Sequence, residues 1–345
     1  MSAPLRIGII GVGSIARAHH DGYVAAGAEV VALADVHAPS LTARAASWGV
    51  DRTYQDYGAL LADGGVDAVS ICAPTFVHHP ATLAAAAAGV HVLCEKPIAL
   101  DLAEADAMIA ACHAAGVVLM TNHQLRSHGA AAHAKRLLDA GELGDLTHVR
   151  LRQAHDWAGK EAVGPSFATK SVAGGGTLLD NGCHLMDFAR FVGGDVHDVF
   201  ARTATRKFDA EVEDTGHVSL AFESGAIGTV EVAWTATGWE EGWWLYGTRG
   251  ALEYTNRIGG QPLLRHVHRA SPGTTWGDTD VAEHRFAGAK PHARHVLAFV
   301  AAIRGEGPVV CSGEDGREAV RLILASYESA ARGTPVRVAQ EFAAL

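Results

Sequence analysis

The tripeptide Glu95-Lys96-Pro97 puts two opposite charges directly after Val90–Cys94, an apolar run that is typical of a buried strand. Charged groups in such a place are costly unless neighbours satisfy them or the protein uses them. In doubly wound α/β folds, ligands bind just beyond the carboxyl ends of the strands. We therefore expect Lys96 to lie beside a bound cofactor, provided that the rest of the chain builds such a fold.

A second chemical pair lies in the glycine-rich segment Gly174–His184, where Asp180 and His184 are four residues apart at the start of a predicted helix. Residues with this spacing share a helix face. A carboxylate beside an imidazole can orient the ring for proton transfer near neutral pH. Two alternatives stay open: Asp180 could cap the helix in a box that starts at Thr177, and His184 could be an ordinary packed residue.

The segment Gly11–Ala16 fits the pattern G-x-G-x-x-G/A between a predicted strand and a predicted helix. In such a segment the first glycine makes a tight turn, and the second lets the backbone approach a pyrophosphate. The helix N-terminus then offers N–H groups and a positive dipole end to the phosphates. The predicted pyrophosphate-binding residues are therefore Gly11, Gly13, Ser14 and Ile15, and a glycine turn without a ligand is the alternative.

Asp35 ends the next predicted strand, where a carboxylate can accept hydrogen bonds from the ribose hydroxyls of a dinucleotide. Because it would repel a 2′-phosphate and no arginine follows directly, NAD is favoured over NADP; the alternative is that Asp35 caps a turn. Further cofactor contacts are expected where the chain leaves the strands, at His37, Ala73, Pro74, Thr75, His78, Glu95, Lys96 and Asn122. His78 could instead be an ordinary polar residue at a helix start.

The first half of the chain alternates strands with helices, which indicates βαβ units and a parallel sheet. The predicted strands are Leu5–Ile10, Val30–Ala34, Ala68–Ile71, His91–Cys94 and Val117–Thr121. The predicted helices between them are Ile15–Ala26, Ser40–Trp48, Pro80–Ala88 and Asp101–Ala115. We expect residues 1–122 to form an NAD-binding, doubly wound Rossmann domain.

Residues 123–345 are expected to form an α+β domain for substrate binding and oligomerisation. Successive strands from Val196 to Tyr254, separated by short breaks, indicate a large and mainly antiparallel open sheet. Residues 261–277 are expected to be a loop or a ragged strand. The other predicted elements are a strand at Thr147–Ala154 and helices at Gly129–Ala140, Pro291–Ile303 and Asp315–Ala331, of which the last two could pack back on the first domain.

The composition narrows the classes of partner. A net charge of -10, from 28 basic and 38 acidic residues among 345, argues against nucleic acid as a partner. No stretch approaches the roughly 20 apolar residues of a membrane helix, and the start lacks a signal peptide. Five dispersed cysteines without a C-x-x-C pair suggest reduced thiols in a cytoplasmic protein. We expect no metal, because His266 and His268 share a strand face but lack a third ligand nearby in sequence.

Taken together, the dinucleotide turn, the Glu-Lys-Pro tripeptide and the glycine-rich Asp-x-x-x-His resemble the Gfo/Idh/MocA oxidoreductases, the glucose-fructose oxidoreductase and inositol dehydrogenase group. The resemblance runs from Leu5 to Val338. It implies that Lys96, Asp180 and His184 line the active site and face the nicotinamide. It also implies a homodimer or homotetramer that packs through the sheet of the second domain.

The expected function is an NAD(H)-dependent oxidoreductase that transfers a hydride between nicotinamide and a hydroxyl or carbonyl carbon of a sugar, polyol or cyclitol. The alternatives are a redox-neutral lyase or glycoside hydrolase that uses tightly bound NAD transiently, and a non-catalytic nicotinamide-binding sensor. Expected substrate contacts are Lys96, Arg126, His155, Trp157, Lys170, Asp180 and His184. Arg126 could merely pair with an acid, and Trp157 could be an ordinary core residue.

Overall fold

The computed structural model describes residues 3–156, 168–257, 260–269, 279–286, 290–340 and 342. The chain forms two compact units, residues 1–128 with 289–320 and residues 129–288 with 321–345. The first unit therefore extends beyond residue 122 and includes a segment from late in the chain. The extension beyond residue 122 includes a 3-10 helix at Gln124–Ser127. This helix packs against a late helix through a 2.8 Å contact from Ser127 Oγ to His295 Nδ1.

The first unit is built on a six-stranded sheet in the order β3-β2-β1-β4-β5-β6, in which all neighbouring strands run parallel. The strands are β1 (Arg6–Ile10), β2 (Glu29–Ala34), β3 (Arg52–Tyr54), β4 (Ala68–Ile71), β5 (His91–Cys94) and β6 (Leu119–Thr121). The helices that follow them are α1 (Ala16–Ala25), α2 (Ala38–Trp48), α3 (Tyr57–Asp63), α4 (Thr75–Ala87) and α5 (Leu102–Ala115). The strand order reverses between β1 and β4, where such folds bind ligands. The predicted Rossmann architecture is confirmed.

The strand β3 and the helix α3 were missed by the sequence analysis. β3 has three residues and lies at the edge of the sheet, so it lacks the apolar run that marks a buried strand. α3 has seven residues and begins after Asp56, whose carboxylate accepts hydrogen bonds from Gly58 N (3.1 Å) and Ala59 N (3.2 Å). Both elements are too short to show a clear period.

A late helix, α10 (Pro291–Ile303), packs against α1 within the first unit. Gly22 permits the close approach, because a β-carbon built there would lie 2.8 Å from Val296 Cβ. Val296 and Phe299 are fully buried in the same core as Ile7 and Ile9 of β1. This packing brings the first residues of α10 to the N-terminal end of α1.

The second unit is built on a nine-stranded sheet in the order β14-β13-β12-β11-β7-β10-β9-β8-β15. Neighbouring strands are antiparallel except for β7 and β10, so the predicted mainly antiparallel sheet is confirmed. Its strands are β7 (Leu146–Asp156), β8 (Val196–Ala204), β9 (Thr215–Phe222), β10 (Ile227–Ala233), β11 (Thr235–Gly247), β12 (Gly250–Arg257), β13 (Leu263–Arg269), β14 (Thr279–His284) and β15 (Val336–Arg337).

The expectation of a loop or ragged strand after residue 260 needs correction. Residues 263–269 form the regular strand β13, which pairs with β12 and β14 on its two sides. Ladder hydrogen bonds on both sides stabilise a segment whose own periodicity is weak. Residues 270–277 of the same prediction lie outside the described residues.

The helices α8 (Thr177–Asp180) and α9 (Gly182–Gly193) pack against β7, β9 and β10 of this sheet. The other helices are α6 (Gly129–Asp139), α7 (Lys170–Ala173) and α11 (Gly313–Arg332), of which α11 begins in the first unit. Phe188 of α9 lies 5.4 Å from the Trp243 ring, and Trp243 stacks on Tyr254 at 5.0 Å. In the described part of the chain, no helix is long and apolar enough to cross a membrane.

Candidate active site

The turn after β1 has the geometry that a dinucleotide-binding segment requires. Gly11 has φ +86°, and a β-carbon built there would lie 2.6 Å from the Cys72 carbonyl oxygen. Gly11 N also donates a 2.8 Å hydrogen bond to Ala34 O, which ties the turn to the end of β2. A β-carbon built at Gly13 would meet no atom within 4 Å, so this glycine borders open space. The first glycine therefore serves the fold, whereas the second leaves room for a ligand.

Substituting alanine at these two glycines is expected to have opposite effects. Gly11→Ala combines a positive φ with a backbone clash and should destabilise the protein by about 2–4 kcal/mol. Gly13→Ala should change stability by less than about 1 kcal/mol and weaken NAD binding by about tenfold or more, because the methyl group occupies the approach to the backbone. Urea unfolding and NAD titration measure the two effects. Equal losses of stability in both variants would contradict this assignment.

Asp35 holds two segments of the turn together. Its Oδ2 accepts a 2.8 Å hydrogen bond from Val12 N, and its Oδ1 accepts a 2.8 Å hydrogen bond from His37 N. The turn-capping alternative therefore describes part of its role. The side chain is only partly buried, and each carboxylate oxygen keeps a lone pair for a ribose hydroxyl. His37 is exposed and caps α2, where its Nδ1 accepts a 3.3 Å hydrogen bond from Ser40 N.

A cavity of about 560 Å³ opens beside Ser14, at the N-terminal end of α1. Its lining residues are Ser14, Arg17, Ala18, Asp21, Lys290, His292 and Ala293. Arg17 Nε lies 3.8 Å from the Asp21 carboxylate, whereas Lys290 brings a further cationic group that suits an anionic ligand near a helix N-terminus. Lys290 and His292 belong to the start of α10, far away in sequence, and no local motif marks them. Together with Gly11, Gly13 and Asp35, they fit a bound dinucleotide.

A fully buried network lies beneath Lys96. Glu95 Oε1 is 2.8 Å from His19 Nε2 and also accepts a hydrogen bond from Asn122 Nδ2, while its Oε2 accepts a 3.2 Å hydrogen bond from Lys96 N. Burial alone would raise the pKa of Glu95, but the hydrogen bonds and charge from His19, with the Asn122 hydrogen bond, outweigh it and lower the pKa to about 2. Glu95 is therefore ionised and fixes the backbone that carries Lys96.

The network continues through His19 to the neighbouring strand. His19 Nδ1 is 2.9 Å from Ser70 Oγ, and that hydroxyl is 2.7 Å from the Tyr23 hydroxyl. All three side chains are fully buried. The sequence analysis gave His19 no role. Its role was missed because its partners lie more than 50 residues away.

His78 was expected to contact the cofactor directly, but its ring is buried against two backbone carbonyl groups. It is 1% exposed, and its ring nitrogens lie 2.8 Å from Pro97 O and 3.0 Å from Ala73 O. Burial lowers the pKa of His78, and a neutral imidazole donates only one hydrogen bond at a time. His78 therefore holds the loop after β4 near the segment after β5, including the cis Lys96–Pro97 bond. Ala73 and Pro74 lie in that loop, and Thr75 begins α4.

Asp180 and His184 lie on consecutive helical segments of the second unit rather than on one uninterrupted helix. Asn181 separates α8 from α9, but its backbone stays right-handed helical at φ -83° and ψ -38°. Asp180 Oδ2 accepts a 3.3 Å hydrogen bond from Trp234 Nε1, and His184 is 6% exposed. The indole thus orients the carboxylate.

Glu213, and not Asp180, satisfies the N-terminus of α8. Gly176 N donates to Glu213 Oε2 at 3.1 Å, and Leu178 N donates to Glu213 Oε1 at 2.8 Å. The Tyr327 hydroxyl adds a 2.9 Å hydrogen bond to the same carboxylate. α8 has no cap from within its own first turn, so the capping-box alternative for Asp180 is wrong.

His155, which the sequence analysis predicted as a substrate contact, lies beside this segment. Its Nε2 is 3.2 Å from Asn181 Oδ1, and its ring stacks on Trp239 with centroids 5.8 Å apart. Trp239 was not singled out from the sequence because its strand pattern does not distinguish it from neighbouring tryptophans. Trp157 lies outside the described residues.

Arg126 and Lys170 are the two remaining predicted substrate contacts. Arg126 pairs with Asp315 through two 3.0 Å contacts and donates to Val310 O at 3.2 Å, with 8% of its side chain exposed. This ion pair is the alternative that the sequence left open for Arg126, and it indicates a structural role. Lys170 is exposed on α7 and lines a cavity of about 570 Å³ with Glu211 and Tyr327.

Comparisons with known proteins cover both units. The profile of the oxidoreductase family with an NAD-binding Rossmann fold matches residues 5–123, and the profile of the GFO/IDH/MocA C-terminal domain matches residues 131–253. A 1,5-anhydro-D-fructose reductase from Ensifer adhaerens is 32% identical over 96% of this chain and 98% of that protein. A D-apiose dehydrogenase from Paraburkholderia graminis is 31% identical over 96% of this chain and 88% of that protein.

Solved structures agree with these matches. A levoglucosan dehydrogenase in complex with NADH and levoglucosan superimposes with a TM-score of 0.89 at 25% identity, covering 98% of this chain and 100% of that one. The match extends over both the parallel sheet and the mainly antiparallel sheet. The profiles, the relatives and the fold lead to one conclusion: the chain belongs to the GFO/IDH/MocA family of oxidoreductases.

Proposed function

We propose that the protein is an NAD(H)-dependent dehydrogenase or reductase that acts on a hydroxyl or carbonyl carbon of a sugar, polyol or cyclitol. One observation carries this proposal: a member of an oxidoreductase family combines a dinucleotide-type turn with Lys96, Asp180 and His184 at the positions that the family resemblance marks. The relatives named for 1,5-anhydro-D-fructose, D-apiose and levoglucosan support a carbohydrate substrate.

The proposed proton chemistry divides between three side chains. Bound nicotinamide supplies the hydride acceptor or donor. His184 is the proposed proton acceptor in the oxidative direction, because imidazoles titrate near neutral pH whereas an ordinary lysine has a pKa of about 10.4. Lys96 polarises the substrate oxygen or relays its proton, and the buried Glu95 holds the Lys96 backbone in place. Asp180, whose carboxylate the Trp234 indole orients, positions the substrate hydroxyl and the imidazole.

A substrate panel tests the proposal. D-apiose, levoglucosan and myo-inositol are offered with NAD and with NADP, and 1,5-anhydro-D-fructose is offered with the reduced cofactors. We expect a change in the absorbance of reduced nicotinamide, matched by an oxidised or reduced sugar product. Product formation without a net change in reduced nicotinamide would instead support redox-neutral chemistry. Cofactor binding without any product, on a widened panel of sugars, would contradict the proposal.

Cofactor preference is expected to follow the charge of Asp35. We expect kcat/KM with NAD to exceed that with NADP by about tenfold or more, because the carboxylate repels a 2′-phosphate. Asp35→Asn removes the charge and keeps only one oxygen, so either Val12 N or His37 N loses its acceptor. This variant should reduce the ratio of the two kcat/KM values and lower the free energy of unfolding in urea by about 1–3 kcal/mol. A wild-type preference for NADP, or an unchanged ratio in the variant, would contradict the role given to Asp35.

A further inference from the structure

The strand β11 carries two side chains, Trp239 and Glu241, on the helix-covered side of the large sheet. Trp243, two residues beyond Glu241 on the same strand, contacts Phe188 of α9, and alternation in a strand gives Glu241 the same side. Gln153 of β7 lies directly opposite Glu241 in the ladder. The Trp239 ring stacks on His155, which shares its strand face with Gln153.

The polar atoms of Gln153 and Glu241 are buried and only partly satisfied. The two residues are 4% and 8% exposed, and Gln153 Nε2 donates a 3.1 Å hydrogen bond to Glu241 Oε2. Gln153 Oε1 is buried with no hydrogen-bond partner among the described residues. Burial raises the pKa of Glu241 to about 7, against the effect of the Gln153 hydrogen bond. A buried acceptor without a donor is costly and needs an explanation.

A chain of contacts connects this pair with the proposed catalytic residues of the same unit. Asp180 accepts its hydrogen bond from Trp234, and the next residue, Asn181, contacts His155. His155 in turn stacks on Trp239, which is 39% exposed and so keeps ring surface for a ligand. Gln153 and Glu241 form the next row along the strands, about 7 Å from the row of His155.

We infer that Trp239, Glu241 and Gln153 form a carbohydrate subsite that holds the end of the substrate remote from the reacting carbon. This inference rests on the proposed function. The Trp239 ring packs against the C–H face of a sugar or cyclitol, as aromatic side chains pack on apolar surfaces. The hydroxyl groups of the ligand donate hydrogen bonds to Gln153 Oε1 and to the Glu241 carboxylate. They are the donors that these buried acceptors lack.

The subsite selects a chemical class of substrate. The buried and ionised Glu241 carboxylate accepts hydrogen bonds from hydroxyl groups but repels a carboxylate or phosphate on the ligand. The substrate is therefore a neutral polyhydroxylated ring with at least one free hydroxyl at the remote end. Sugar acids and sugar phosphates with their anion at that end are excluded.

The test uses Glu241→Gln in the full-length enzyme, with the neutral panel substrate of lowest KM, at about pH 8, where Glu241 is mainly ionised. We expect KM to rise by about tenfold or more while kcat changes by less than about threefold. The activity of this variant on D-glucuronate, relative to its activity on the neutral substrate, should increase, because the Glu241 charge that repels the glucuronate carboxylate is gone. Trp239→Ala should also raise KM. Trp239→Phe should have a KM much closer to the wild-type value.

Glu240→Gln is the matched control. Glu240 is the neighbouring residue on the same strand, but it faces the other side of the sheet and pairs with Arg152 (3.2 Å) and Arg257 (2.8 Å). Its replacement should leave KM unchanged. If the wild type turns over the substrate and Glu241→Gln and Trp239→Ala keep its KM, the subsite is disproved and the proposed function stands. If no panel sugar is turned over, the proposed function fails, and the subsite fails with it.

Discussion

Replacing Lys96 with methionine, or His184 with alanine, is expected to lower kcat by about 10²–10⁴-fold, the usual contribution of a positioned proton-transfer group. Methionine keeps most of the length and apolar volume of the lysine but removes the ammonium group. Lys96 itself is held through its backbone N–H by Glu95, so the loop geometry should survive the substitution. Steady-state kinetics on a substrate found in the panel, together with NAD titration, measure the effect.

Two residues outside the candidate site provide controls for this prediction. Lys135 forms an i,i+4 ion pair with Asp139, and His113 Nε2 lies 3.2 Å from Glu314. Lys135→Met and His113→Ala should leave kcat unchanged, because exposed pairs contribute at most about 1 kcal/mol. NAD should bind Lys96→Met and His184→Ala with an affinity close to that of the wild type. Full turnover in either of the two site variants would exclude that residue from the proton chemistry.

The fold was predictable where burial leaves a pattern in the sequence. The strands at Ala68–Ile71 and His91–Cys94 are short runs buried inside a parallel sheet, and their predicted bounds agree with the structure. The helix at Pro291–Ile303 was also predicted at its observed bounds, but not its packing on α1. That packing depends on Gly22 and Val296, which are far apart in sequence.

The candidate site was predictable only where its residues follow a local motif. Gly11 and Asp35 have a defined spacing from strand ends, and the structure gives them the turn geometry that a dinucleotide requires. His19, Glu213 and Lys290 form no motif, because each acts with groups from another element. The spacing of residues along the chain indicates which of them share a face of a helix or strand. Which residues of other elements they contact depends on how the elements pack.

Replacing Glu95 with alanine is expected to destabilise the protein by about 3 kcal/mol or more, because each buried donor that loses its acceptor costs about 1–3 kcal/mol. The substitution would leave His19 Nε2, Asn122 Nδ2 and the N–H of Lys96 without their common acceptor. It should also lower kcat, because the lysine would lose its backbone anchor. Urea unfolding at neutral pH measures the stability, and Glu104→Ala, which removes a partly exposed carboxylate in the first turn of α5, is the control.

The low pKa of Glu95 makes its contribution to stability depend on pH in a defined direction. The folded pKa is about 2, below the ordinary value of 4.5, so the stabilisation is fully present above about pH 4.5 and is lost as pH falls towards 2. The difference between the two values corresponds to about 3 kcal/mol. Glu95→Gln cannot ionise, so the gap in stability between wild type and this variant should narrow as the medium is acidified.

Unfolding curves for the wild type and Glu95→Gln between about pH 3 and about pH 6 decide the question. Glutamine keeps one oxygen for His19 and Asn122 but turns an amide N–H2 group towards Lys96 N, so only the part of the stability difference that changes with pH reports the charge. Parallel pH dependences would mean that folding leaves the pKa of Glu95 at its ordinary value. A wild type that loses stability relative to Glu95→Gln as pH rises towards 6 would mean that the buried network holds Glu95 neutral, so that the anchor beneath Lys96 is an uncharged hydrogen bond. A converging pair of curves with a reduced kcat would instead tie the charge of Glu95 to the position of the lysine.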